Sequence, residues 1–135
     1  MKVVQRVLDA YSLLAYLEGE KGAEQMIEII KTARDQGRDL LLSAVNWGEV
    51  YYITLREAGR ERAEAVAQII ETLPIRIVPV DMEVIKTAAE YKATKKMSYA
   101  DCISAALAKL RKAELVTGDK DFKQVEDDIR ILWLK

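Results

Sequence analysis

Asp9, Glu49, Asp101 and Asp119 carry the chemistry this chain can offer. Asp9 ends the apolar run KVVQRVL, and Glu49 stands in the stretch SAVNWGEV that follows DLLLS. Asp101 opens the Ala-rich segment ADCISAALAKL, and Asp119 follows ELVT by one residue, in TGDKDF. Carboxylates gathered in one place repel, and without a cation at least one of them is driven toward its protonated form. Ligands that are all oxygen select hard cations such as Mg²⁺ or Mn²⁺ over zinc or copper. If the fold brings the four together, they form a pocket for a divalent metal. Ser12, Asn46, Ser98 and Thr117 could orient these acids, or waters between them, through hydrogen bonds.

Each acid also has a purely structural reading. Ser98 and Asp101 have the spacing of a capping box, as do Asn46 and Glu49. Asp9 and Asp119 could be N-caps, which favour Asp and gain from the helix dipole. Asp81 also follows an apolar run and precedes a helix, and it reads as a cap. Asp121 reads as support for the other acids or as a helix-start residue.

Placing the acids requires the elements. Lys2–Leu8, Asp39–Ser43, Ile75–Val80, Glu114–Thr117 and Ile129–Leu134 are short apolar runs and read as five strands. Pro79 suits a strand end better than a sheet interior. Helices are expected at Tyr11–Leu17, Ala23–Gln36, Val45–Arg56, Arg60–Glu71, Met82–Lys95 and Tyr99–Lys112, with Gly19, Gly37 and Gly59 as stops. Strands alternating with helices predict an α/β fold: a three-layer α/β/α arrangement around a mostly parallel sheet of about five strands. The carboxyl ends of parallel strands share one edge, where ligands bind. Asp9, Glu49 and Asp119 follow strands onto that edge. Asp101 reaches it from the start of a helix running antiparallel to its strand.

The 135 residues suit one domain spanning positions 1–135. Half are apolar, enough for a core, and Lys plus Arg (21) nearly balance Asp plus Glu (22) for a net charge of −1. A strongly basic nucleic-acid footprint is therefore missing, although two divalent ions would shift the total to about +3 at the pocket itself. Histidine is absent, which excludes imidazole acid–base chemistry, Ser-His-Asp triads and His-dependent zinc sites. Cys102 is the single cysteine; it has no disulfide partner and reads as core packing. Gln5, Arg6 and Asp9 interrupt the N-terminal apolar run, unlike a signal-peptide core. No stretch approaches the ~18 apolar residues of a membrane span. A cytoplasmic protein with no membrane partner is expected.

The segments VLDAYSLLAYLEGE, SAVNWGEV and SYADCISAALAKLRKAELVTGDKDF resemble the PIN-domain family, most of all the VapC-like toxin ribonucleases of VapBC toxin–antitoxin pairs. The order and spacing of the acids agree over nearly the whole chain. The resemblance implies a Mg²⁺- or Mn²⁺-dependent endoribonuclease with Asp9, Glu49, Asp101 and Asp119 as catalytic metal ligands and Asp121 as a further metal acid. It implies hydrolysis leaving a 5′-phosphate and a 3′-hydroxyl, a VapB-like antitoxin as partner, and a homodimer. Tyr11 departs from the family pattern, where many members have a small polar residue two positions after the first acid; it could crowd the site or stack on a base.

Lys95, Lys96, Lys120 and Lys123 flank the last acids and could meet RNA phosphates, or could be solvated helix ends. Trp47, Tyr51 and Tyr52 read as core or partner surface. Leu13, Leu17, Met26 and Ile30 could form an antitoxin docking face or an internal core. A housekeeping PIN nuclease of RNA processing and a non-catalytic PIN-fold binding module are the alternatives. Phosphatase chemistry of the type needing a second Asp at position 11 meets Tyr11 instead, and neither GxGxxG nor a P-loop is present.

Overall fold

The computed structural model describes residues 4–135. Five strands run β1 (Arg6–Leu8), β2 (Leu40–Ser43), β3 (Ile75–Val78), β4 (Glu114–Thr117) and β5 (Arg130–Trp133). Six helices connect them: α1 (Ala10–Glu18), α2 (Ala23–Gln36), α3 (Ala44–Ala58), α4 (Arg60–Thr72), α5 (Met82–Thr94) and α6 (Tyr99–Arg111). A 3-10 turn, Lys120–Val125, joins β4 toward β5. All strand pairs are parallel, in the order β3-β2-β1-β4-β5. The α/β architecture expected from the alternation of elements is the one found.

Successive residues of a strand point to opposite faces, and the two cores divide accordingly. Val7, Leu41, Val78 and Leu115 face α5, α6 and the 3-10 turn. Leu8, Leu40, Leu42 and Val116 face α1, α2, α3 and α4. Each fully buried aliphatic side chain here contributes roughly 1.5–3 kcal/mol of burial free energy. A one-residue slip of any inner strand would exchange its two faces, so the register Val7↔Leu41 and Val7↔Leu115 is strongly specified.

Helix α6 is the innermost helix. Its residues Cys102–Ala108 are all buried, and the small side chains Ala105, Ala106 and Ala108 let it lie close to the sheet. Cys102 is part of that core, and burial pushes its thiol pKa up. Because α6 runs antiparallel to β4, its N-terminus arrives at the carboxyl edge in the middle of the molecule.

Several boundaries differ from those expected. Positions 2 and 3 of the first expected strand lie outside the described residues, and β1 is regular only from Arg6. Strand β3 stops at Val78, ahead of Pro79, which has no N–H to give a neighbour. Helix α3 begins at Ala44, with Ser43 as N-cap accepting the Asn46 N–H. Asn46 is therefore inside the helix, and in place of the expected Asn46–Glu49 capping box the cap is Ser43, three residues earlier. Of the two readings open for the first helices, the internal core is the one found. Leu13, Met26 and Ile30 are buried in the core, with Leu17 packed against it, because α1 and α2 lie directly on the sheet.

Candidate metal centre

The order β3-β2-β1-β4-β5 reverses direction at β1, so β1 and β4 leave the sheet toward opposite sides. That is where an open parallel sheet forms a crevice at its carboxyl edge. Asp9 follows β1, Thr117 ends β4, and Asp119 lies two residues beyond it.

Asp9 is almost wholly buried, 2% exposed. It caps α1: Oδ1 accepts the Ser12 N–H at 2.9 Å, and the Ser12 hydroxyl donates to its backbone carbonyl at 3.1 Å. Oδ2 accepts the Thr117 hydroxyl at 2.5 Å. Burial raises its pKa to about 7, against the lowering effect of these hydrogen bonds, and the charge of Asp101 adds to the rise. A carboxylate that costs this much to ionise in isolation is suited to a cation.

Asp101 stands in the first turn of α6, its N–H donated to the N-cap Ser98 at 3.1 Å. Its pKa is raised to about 6, first by burial, then by the charges of Asp119 and Glu49, with Asp121 contributing less. Asp101 is thus the acid that all the others face. Asp101, Asp119 and Asp121 each bring a carboxylate oxygen within 4.8 Å of the other two. Asp119 caps the 3-10 turn by accepting the Asp121 N–H at 2.9 Å. Asp121, exposed on that first turn, is both a helix-start residue and a member of the trio. Phe122, fully buried beneath it, anchors the turn to the core.

Asp9 and Glu49 flank this trio without joining it at that spacing. Glu49 is half-buried in α3, and burial raises its pKa against the opposing hydrogen bond from Asn46. Asn46, 0% exposed, fixes its position. Its Oδ1 accepts the Ser43 hydroxyl at 2.6 Å, and its Nδ2 donates to Glu49 Oε1 at 2.8 Å and to the Ala100 carbonyl at 3.3 Å. One amide therefore fastens the start of α6 to α3 and turns Glu49 toward Asp101. Of the expected orienting residues, Ser12, Thr117 and Asn46 make these bonds from buried positions, while Ser98 caps from an exposed one. Ser43, which aligns Asn46, was not anticipated; the SxxN spacing of SAVN could have shown it.

The donor set fits a hard divalent cation. It is all oxygen, and the trio offers three carboxylate oxygens within 4.8 Å of one another, donors of the kind Mg²⁺ and Mn²⁺ take. Asp81, by contrast, accepts only the Val84 N–H, at 3.0 Å, as the cap of α5. It follows β3, an edge strand, and stays out of the cluster.

Around the site, Lys96, Lys120 and Lys123 are exposed and Lys95 is half-buried. Gln124 was missed in sequence: it accepts the Lys96 N–H at 2.8 Å and donates to the Lys96 and Asp121 carbonyls at 3.2 and 3.1 Å. It ties the loop before α6 to the turn that carries Asp121. Trp47 and Tyr51 stack on each other at 5.3 Å, and the Tyr51 hydroxyl donates to Glu64 at 2.6 Å. That pair joins α3 to α4; Trp47 packs against the core, while the Tyr51–Glu64 bond is exposed. Tyr52 is exposed, with Arg56 over its ring at 5.2 Å.

A family model for the PIN domain matches residues 6–128. No curated protein sequence gives a significant match. Among solved structures, the chain is similar to one in VapBC2 from Rickettsia felis bound to a DNA fragment from its promoter: TM-score 0.80, 12% identity, covering 96% of this chain and 98% of that one. It is similar to VapC20 of Mycobacterium tuberculosis, described as a Sarcin-Ricin loop cleaving toxin, with TM-score 0.69 and 20% identity over 90% of this chain and 95% of that one. A toxin–antitoxin complex from Klebsiella pneumoniae gives TM-score 0.66 and 18% identity over 95% and 96% of the two chains. At these identities the likeness is one of fold. No helix among the described residues is long and apolar enough to cross a membrane.

Proposed function

This chain belongs to the PIN-domain family, and we propose that it is a metal-dependent endoribonuclease, the toxin of a toxin–antitoxin pair. The observation that carries the reading is the position of Asp101. Burial raises its pKa, and so do the charges of Asp119 and Asp121 on the turn after β4 and of Glu49 on α3, at the edge where the sheet opens. Asp101, Asp119 and Asp121 would hold a Mg²⁺ or Mn²⁺ ion, with Asp9 and Glu49 completing its surroundings directly or through water. When bound, such an ion lowers the pKa of a coordinated water and neutralises charge developing on the phosphate oxygens.

The protein's own residues prepare the site. Thr117 and Ser12 hold Asp9 in one orientation, Asn46 holds Glu49, and Ser98 sets the first turn of α6. Hydrolysis by a metal-bound water would need no histidine, and the sequence has none. Lys95, Lys96, Lys120 and Lys123 lie on the segments beside the acids and are placed to meet RNA phosphates, giving cleavage a dependence on salt. An antitoxin of the kind present in the similar complexes is the proposed partner, together with a homodimer of this chain acting in the cytoplasm.

Purified protein incubated with total RNA and Mn²⁺, with and without EDTA, tests the reading once the new ends are mapped. Expected are discrete cuts bearing 5′-phosphates, lost with EDTA and with Asp101→Asn. Absence of cleavage, or cleavage indifferent to both treatments, overturns it.

A further inference from the structure

Tyr11 lies two residues beyond Asp9, on the first turn of α1, and is 40% exposed. Its ring tip rests on the backbone of Gly118, between Thr117 and Asp119. A Cβ built on Gly118 would collide with Tyr11 Cε1 and would stand only 2.7 Å from Cζ and 2.9 Å from Oη. Any side chain at position 118 would make the ring tip shift, so the bare Gly118 is what lets Tyr11 rest on the TGD turn. Beyond the ring lies a cavity of about 230 Å³ lined by Tyr11, Leu14, Ala15, Glu20 and Lys21. That is below the ~300–1,000 Å³ that encloses a drug-sized ligand, and it suits a single flat ring system. Its lining combines one aromatic ring with the aliphatic side chains of Leu14 and Ala15. At the rim, Lys21 can donate to a base carbonyl or phosphate, and Glu20 can accept from an exocyclic amine.

We propose that Tyr11 stacks on a nucleobase next to the scissile phosphate of single-stranded RNA, with that base seated in the Tyr11–Leu14–Ala15–Glu20–Lys21 cavity. The proposal rests on the ribonuclease reading for the word scissile, but not for base binding itself. An aromatic face binds any base, since every base has a π-face. The ring tip touches the turn that carries Asp119, so a base stacked on the ring would lie beside the segment that bears the acids.

The test uses the full chain in an Asp101→Asn background, which blocks cleavage, and short single-stranded RNAs with a fluorescent 2-aminopurine at each position in turn. The parent and its Tyr11→Phe derivative are expected to quench the probe at one position. Tyr11→Leu, which keeps an apolar contact with Gly118 but has no π-face, is expected to lose that quenching and about 10-fold in affinity. Gly118→Ala, which drives the ring away without removing it, is expected to do the same. Melting curves and circular dichroism verify that the Leu and Ala variants fold. Quenching that is absent in the parent, or that persists in folded Tyr11→Leu, overturns the proposal. Wild-type protein assayed in parallel with Mn²⁺ separates the two readings: cleavage with no Tyr11-dependent binding sinks stacking alone, and Tyr11-dependent binding without cleavage sinks the ribonuclease alone.

Discussion

Thr117 donates its hydroxyl hydrogen to Asp9 Oδ2 at 2.5 Å, and its own Oγ1 accepts the Asp119 N–H at 3.0 Å. One side chain at the end of β4 thus ties the acid of β1 to the acid of the following turn. Removing it leaves a buried carboxylate oxygen and an N–H without partners, and lets the Asp9 pKa rise further. Thr117→Val, which keeps shape and loses the hydroxyl, should cost about 1–3 kcal/mol of stability. Mn²⁺ affinity should fall by about 10–100-fold, the usual effect of losing a residue that orients a ligand. Thr117→Ser should restore both. Calorimetric titration with Mn²⁺ and thermal melting measure these; unchanged Mn²⁺ affinity in Thr117→Val would sink the orienting role.

The acids make stability of the metal-free protein fall as pH rises. Asp9 and Asp101 have folded-state pKa values of about 7 and about 6, above their ordinary values near 3.8. Between those limits the folded state binds more protons than the unfolded chain, so the slope of unfolding free energy with pH is negative. Melting temperature in EDTA should therefore drop from pH 5 to pH 8. Below that window the lowered pKa of Asp128, held down by its hydrogen bonds from Tyr91 and Lys109, acts in the opposite sense. Mn²⁺ should raise the melting temperature more at pH 8 than at pH 5, because protons no longer compete. Asp101→Asn should flatten the EDTA profile, since it removes one titration and relieves Asp9. A metal-free melting temperature that climbs from pH 5 to pH 8 contradicts this account.

Asn46 offers a different kind of test, because it joins two helices. Asn46→Ala should cost about 1–3 kcal/mol by stranding the Ser43 hydroxyl and the Ala100 carbonyl. It should also free Glu49 and weaken Mn²⁺ binding by about 10-fold or more. Asn46→Asp should bind Mn²⁺ no better than Asn46→Ala, because it loses the donor to Glu49 and adds a like charge beside it. Should Asn46→Ala lose stability while titrating with Mn²⁺ as the wild type does, Asn46 serves the fold alone.

Much of this architecture could be read from the chain itself. Strand β4 and helix α2 have the bounds expected, Glu114–Thr117 and Ala23–Gln36, because ELVT is a short apolar run and Gly37 provides a left-handed stop. The family followed from the segments around the acids. Less legible was the difference between a cap and a ligand. Asp9, Asp81 and Asp119 each follow a strand and each accept the N–H that an N-cap accepts. Local chemistry is the same at all three, and only strand order separates them. The role of Asn46 was hidden for a related reason: its bond to Ala100 spans 54 residues, and no periodicity reports such a contact. Leu13, Met26 and Ile30 were ambiguous because an apolar helix face looks the same whether it meets its own sheet or another protein.

Asp81 is the residue on which the distinction can be measured. It follows β3, which is separated from β1 by β2, so the path from its carboxylate to the crevice crosses a whole strand. Its sole contribution should be the bond to the Val84 N–H at the start of α5. Asp81→Ala should lower stability by about 0.5–2 kcal/mol, the cost of losing an N-cap. Asp81→Ser, another good cap, should recover most of it. Neither change should alter Mn²⁺ affinity or RNA cleavage, whereas Asp9→Asn should reduce both by about a hundredfold or more. Were Asp81→Ala to weaken Mn²⁺ binding as Asp9→Asn does, position along the sheet would not be what selects the ligands, and the centre between β1 and β4 would have to be redrawn.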